Sequence, residues 1–215
     1  MKGTFITFEG IEGSGKSTQI VLLENYLKST GLHVVLTREP GGTPIGDQIR
    51  KILLDPENTA LDPSAELLLY AASRAQHLHE VIGPALDAGK IVLCDRFSDA
   101  TLAYQGYGRG LNIGMIRDLD RIVTSGMRPD LTILFDIDPA SGIARAHGRN
   151  KNSGLEAEAR FENEEIAFHK RVRQGYLILS RQETDRIIVV DASLPVEEVQ
   201  KTVRSIVDAM LLKSA

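Results

Sequence analysis

Phe5-Ile6-Thr7-Phe8-Glu9-Gly10-Ile11-Glu12-Gly13-Ser14-Gly15-Lys16-Ser17-Thr18 decides the fold. Residues 5–8 are short, apolar or β-branched, and read as a buried strand. Residues 10–17 then match G-x-x-x-x-G-K-S/T in full, and Gln19, Leu23 and Leu27 continue as a helix. Strand, glycine-rich turn and helix in that order make a phosphate cradle. The glycines let successive backbone N–H groups turn toward phosphate oxygens, and the helix N-terminus adds the positive end of its dipole. In such a cradle the lysine, here Lys16, reaches the β- and γ-phosphates, and the hydroxyl of Ser17 ligates Mg²⁺. Gly10, Ile11, Glu12, Gly13, Ser14, Gly15, Lys16, Ser17 and Thr18 are therefore expected to bind a nucleoside triphosphate.

Four more short apolar runs follow: 33–36, 91–94, 131–135 and 187–190. Long stretches separate them, as the crossovers between parallel strands require. The last stretch carries Val196, Val199, Val203, Ile206, Val207, Met210 and Leu211 on one helical face. The expected fold is a three-layer α/β P-loop NTPase architecture, a parallel five-stranded sheet flanked by helices, in one domain over residues 1–215.

Composition narrows the class. A net charge of −4 argues against binding nucleic acid through bulk charge. The single cysteine, Cys94, leaves no intramolecular disulfide framework and reads as a buried, inert thiol. No apolar run approaches the ~20 residues of a membrane span, so no membrane partner is expected. The expected setting is a reducing, cytoplasmic one.

The fate of the γ-phosphate is a separate question. A guanine-specifying Asn-Lys-x-Asp is not found, because Asn150-Lys151-Asn152-Ser153 lacks the acid. A motor or translocating ATPase usually carries more chain than 215 residues, so a small-molecule kinase is favoured. Asp95-Arg96 ends the third apolar run, at the sheet edge where open α/β folds place ligands. An acid there can hold Mg²⁺ or its waters, and the arginine can bridge donor and acceptor phosphates. Residues 145–165 differ in texture, with several charges, few large apolar residues, and Gly148, Asn150, Asn152, Ser153 and Gly154 favouring turns. They are expected to form a mobile excursion.

Three segments in this order, residues 9–18, Thr37-Arg38-Glu39-Pro40-Gly41-Gly42-Thr43, and Asp95-Arg96-Phe97 with Ala103-Tyr104-Gln105-Gly106, resemble thymidylate kinases of the bacterial type. The resemblance runs from Thr4 to the last helix. It implies a P-loop nucleoside-monophosphate kinase fold, a homodimer, Mg²⁺, and transfer of the γ-phosphate of ATP to dTMP. It places Glu12 near the sugar 3′-hydroxyl, stacks Tyr70 on thymine and sets Arg74 against the base. Arg50 and Arg96 grip the acceptor phosphate, Thr101 and Gln105 face the pyrimidine edge, and Tyr104 crowds the 2′ position. It implies Lys16, Asp95 and Arg96 in catalysis, with Ser17 and Asp95 at the metal. A lid over roughly 145–162 delivers a catalytic arginine: Arg149 first, then Arg145, then Arg160. Here Ala159 stands before Arg160-Phe161-Glu162 where the family often has an acid, which weakens Arg160.

Read without the resemblance, several of these residues have plainer roles. Tyr70 follows Leu67, Leu68 and Leu69 and reads as core-facing; Tyr104 reads equally as a packed helix residue, and Arg50 as part of a solvated face. His77 and His79 are two apart and cannot share a helical face, so no metal is assigned to them. His33, His147 and His169 carry no motif. Adenine contacts are expected in the loop 191–195. The alternatives are a kinase of another small phosphate acceptor, or a P-loop nucleotide-binding switch.

Overall fold

The five apolar runs become five parallel strands: β1 (Thr4–Glu9), β2 (Val34–Arg38), β3 (Ile91–Asp95), β4 (Leu131–Asp136) and β5 (Ile187–Asp191). The computed structural model describes residues 3–153 and 160–214, the side chains of 149–153, 213 and 214 excepted. Strand order is β2-β3-β1-β4-β5. β1 lies between β3 and β4, with Phe8 in register with Asp95 and with Ile133. The central strands are buried almost throughout, which explains why their runs are apolar and not alternating. β2 is an edge strand and only partly covered.

The crossovers are α1 (Lys16–Ser29), α2 (Pro44–Leu54), α3 (Pro63–His77), α4 (Gly83–Asp87), α5 (Ser98–Thr101), α6 (Ile113–Thr124), α7 (Pro139–Ser153), α8 (Ile166–Gln182) and α9 (Val196–Ser214). Three of them, α2, α3 and α7, start on proline behind a polar cap, and the first two carry residues of the site. Thr43 Oγ1 accepts from Gly46 N at the head of α2, and Asp62 Oδ1 accepts from Ser64 N and Ala65 N at the head of α3. These caps fix the two helices that carry Arg50, Tyr70 and Arg74. α9 buries Val199, Val203 and Val207, the centre of the face read from its periodicity.

Two local features depart from the sequence reading. Residues 145–153, expected within a turn-rich excursion, continue α7 as helix. Its first turns are anchored: Gly142 packs so closely on the carbonyl of Glu12 that a Cβ would lie 2.6 Å from it. Tertiary contact of this kind overrides the weak helix propensity of Asn and Gly. Beyond the undescribed residues 154–159, Arg160 and Phe161 are buried again. The second feature is a pair of π-helical turns, Leu78–Ile82 and Leu102–Gly108, the latter carrying Tyr104 and Gln105. Inserted π turns re-aim side chains locally and are frequent at functional sites. Cys94 is fully buried, as expected, and burial pushes its thiol pKa well up.

Candidate active site

The cradle follows β1 directly and ends on Gly15, whose φ of +86° caps α1. Gly13, at φ +68°, approaches the carbonyl of Gly142 too closely for any Cβ. Over the loop, Lys16 Nζ donates to the carbonyls of Gly10 and Ile11, each at 2.9 Å, and to Ser14 Oγ at 3.3 Å. Burial, with the nearby Arg96 cation, lowers its pKa to about 8. It stays largely protonated at neutral pH yet short of counter-charge.

Ser17 Oγ lies in the first turn of α1 and donates to Asp95 Oδ2 at 3.1 Å. Two hard oxygens on a half-open edge fit Mg²⁺, which binds through one or two side chains and substrate phosphates. Among the described residues no group of three His, Cys, Asp or Glu converges on a metal position. A metal held mainly by its nucleotide needs none.

Next to this edge lies a cavity of about 350 Å³. Lys16, Ser17 and Asp95 line its donor end, and Glu12, Arg50, Tyr70, Arg74, Arg96, Thr101, Tyr104 and Gln105 also line it. The structure therefore brings the acceptor residues implied by the resemblance into one space with the cradle. Tyr70 is half-buried: it packs against the edge of the core and also lines this cavity. Glu66, Tyr70 and Arg74, spaced i, i+4 and i+8, run along one face of α3, with Glu66 and Arg74 buried on either side of Tyr70.

Glu12 organises the floor. Its Oε1 accepts from Arg96 Nη2 at 2.9 Å and from Tyr104 Oη at 2.6 Å, while Oε2 lies 3.4 Å from His169 Nδ1. Burial alone would raise its pKa, but Arg96, followed by His169 and Lys16, holds it at about 2. It is a permanent carboxylate. Arg96 itself has φ +72°, unusual for a non-glycine residue, and its guanidinium lies over the Tyr104 ring.

The base end is built from groups with spare hydrogen-bonding capacity. Gln105 Nε2 donates once to Glu66 Oε1 at 2.8 Å, which leaves a second amide hydrogen and a carbonyl oxygen. Arg74 uses three N–H groups, on Glu39, Asp120 and Thr101, and two of its five remain. Arg50 Nη1 donates to the carbonyl of Pro40 at 3.0 Å.

The arginines of the excursion are placed differently. Arg145 is exposed and donates to the Ala192 carbonyl at 3.0 Å, in the loop after β5; it is not among the residues lining the cavity. The Arg149 side chain lies outside the described residues. Arg160 pairs with Glu66 at 2.7 Å and donates to the Leu53 carbonyl at 3.0 Å.

Sequence reasoning missed the acids beneath the site. Glu66 is fully buried and gathers Gln105, Arg109 and Arg160. Glu39 pairs with Arg74 and with His77 Nδ1 at 3.0 Å, giving that histidine a structural partner. Glu9, fully buried, is pushed up to about 7 by burial and then by Asp99. Glu9 and Glu39 sit inside quoted motifs and end or follow strands, which was a usable signal. Glu66 carried none, because its partners come from elsewhere in the chain.

Comparison with known proteins identifies the family. A family model described as thymidylate kinase matches residues 8–203. The thymidylate kinase of Syntrophotalea carbinolica is 60% identical over 195 residues, covering 91% of this chain and 90% of that relative. That of Trichlorobacter lovleyi is 55% identical over 211 residues, 98% of each chain. Among solved structures, the crystal structure of thymidylate kinase from Ehrlichia chaffeensis matches with a TM-score of 0.77 at 34% identity, covering 97% of this chain and 99% of that one. Likeness at this level over nearly the whole length, in sequence and in backbone, places the chain in the thymidylate kinase family.

Proposed function

We propose that the cavity takes ATP and dTMP end to end and that its own residues align them for direct phosphoryl transfer. As a member of the thymidylate kinase family, the chain phosphorylates dTMP with ATP, giving dTDP and ADP for nucleotide biosynthesis. The observation that carries the arrangement is continuity: Lys16 and Ser17 of the cradle share one space with Tyr70, Arg74 and Gln105.

In this reading a phosphate oxygen of dTMP attacks the γ-phosphorus as the bond to the β–γ bridging oxygen breaks. Little covalent chemistry falls to the protein, so positioning and charge supply the rate. The 10–18 backbone and Lys16 hold the β- and γ-phosphates. Mg²⁺, bound with ATP beside Ser17 and Asp95, supplies further charge neutralisation. Arg50 and Arg96 fix the acceptor phosphate in bidentate fashion. Tyr70 stacks on the base, Arg74, Thr101 and Gln105 read its edge, Tyr104 crowds the 2′ position, and Glu12 sits at the 3′-hydroxyl.

Residues 145–162 act as the lid, with Arg149, then Arg145, delivering a cation to the transferring group and closure excluding water. The chain works as a homodimer in the cytoplasm. In support, the neighbouring helices α2, α3 and α6 expose Ile52, Leu68, Met115 and Ile122, the last at 77%. Exposed apolar side chains on packed neighbouring helices are consistent with a protein interface. Among the described residues no helix is long and apolar enough to cross a membrane.

The acceptor assignment is tested by Tyr70→Ala. Base–aromatic stacking is worth about 1–3 kcal/mol, so the KM for dTMP rises on the order of tenfold or more while the KM for ATP holds. An unchanged dTMP KM removes Tyr70 from the base site.

A further inference from the structure

Arg96 is held partly by groups that lie outside the acceptor residues. A guanidinium has only donors, so its aim is set entirely by acceptors around it. Glu12 Oε1 takes one N–H, and Tyr176 Oη on α8 takes another, from Nη1 at 3.2 Å. The Tyr176 hydroxyl then donates to Glu9 Oε2 at 2.7 Å. The other oxygen of Glu9 accepts the backbone N–H of Phe97 at 2.8 Å.

The direction of this chain is forced. Arg96 can only donate, so the single proton of Tyr176 must go onward, and Glu9 must accept it. Glu9 thereby holds Arg96 twice. It fixes the peptide that follows the φ +72° backbone, and through Tyr176 it fixes the guanidinium. Tyr176 is 3% exposed and Glu9 0%, so these bonds are shielded from water and short of competition. A left-handed backbone at a large side chain persists only where its surroundings over-determine it. Here those surroundings are two buried side chains from β1 and α8.

We propose that Glu9 and Tyr176 are positioning residues for phosphoryl transfer, holding the backbone and guanidinium of Arg96 at the acceptor phosphate. This rests on the reading of Arg96 as a phosphate ligand, given above. The two residues touch neither substrate; they act through Arg96. They also link α8 to the catalytic edge, since the Tyr176 ring packs against Tyr104, 6.2 Å between centroids.

Steady-state kinetics of the full chain test it with Arg96→Lys, Tyr176→Phe, Glu9→Gln and the Tyr176→Phe/Glu9→Gln double variant. Misplacing a catalytic group by about 1 Å costs on the order of 100-fold. Tyr176→Phe is therefore expected to lower kcat about 10- to 100-fold with the ATP KM unchanged, which loss of folded protein would not do selectively. Glu9→Gln still accepts from Phe97 but turns an amide donor toward Tyr176, stranding the hydroxyl proton, so a comparable fall is expected. The double variant falls no further than Tyr176→Phe, because both act through one chain. If Glu9→Gln does not fold, Tyr176→Phe decides alone. A normal kcat in Tyr176→Phe beside a crippled Arg96→Lys overturns the positioning role and leaves Arg96 in place. Losses that multiply in the double variant overturn it too. A near-normal Arg96→Lys overturns both the role of Arg96 and the proposal resting on it.

Discussion

Lys16→Ala abolishes measurable phosphoryl transfer and leaves the fold standing. The ammonium is pinned over its own loop by Gly10, Ile11 and Ser14, so its position is set before any phosphate arrives. Burial and Arg96 bring its pKa down to about 8, so its missing counter-charge is supplied when phosphate oxygens bind. Charge that develops on the transferring group is met by a fixed cation in a dry site, where one such donor is worth about 10²–10³ or more in rate. A thousandfold loss corresponds to about 4 kcal/mol of barrier. Stability changes little because two effects oppose. Truncation strips donors from two carbonyls, which costs about 1–3 kcal/mol when such groups stay buried. It also removes a charge the fold disfavours, as the lowered pKa records. Turnover and a thermal melt on the same preparation check both halves. Near-normal turnover would end the phosphate role of Lys16.

Asp95→Asn is the second large effect. Asp95 ends β3, in register with Phe8 of β1 and Arg38 of β2, and its Oδ2 receives the Ser17 hydroxyl. The substitution keeps shape and removes charge, so the sheet edge is preserved while the anionic half of the Mg²⁺ site is lost. Removing a group that directs a metal or its waters typically costs about 10–100-fold in affinity or activity. The Mg²⁺ concentration for half-maximal rate is expected to rise at least about tenfold, with kcat down on the order of 100-fold. Chelation silences the wild-type chain. A superimposable Mg²⁺ titration in the variant would take Asp95 out of the metal site.

Much of this architecture was legible in residue order. The strands stood out because interior parallel strands are apolar on both faces, and observed bounds fall within two residues of the runs. The cradle was legible because its chemistry is contiguous. The acceptor end was not, except through resemblance. Tyr70 beside three leucines looked core-facing; it does pack against the core, and only the assembled cavity shows that it also lines that space. Nor does any local pattern announce that Gln105, Arg109 and Arg160 meet at Glu66, or that a π turn carries Tyr104. The excursion after Arg145 was misjudged at its start, because packing of Gly142 on the cradle is a contact between distant segments. Long-range pairing of buried charges is the information a single sequence withholds.

The central claim is that one cavity joins donor and acceptor. Release of ADP from ATP·Mg²⁺ by the full chain, first alone and then with dTMP, dUMP, dCMP, AMP or GMP, tests it most directly. Release that is slow alone and rises far above the others with dTMP, matched by equal dTDP, is the predicted result. Slow release that no acceptor changes would contradict it, leaving a nucleotide-binding P-loop without an acceptor site.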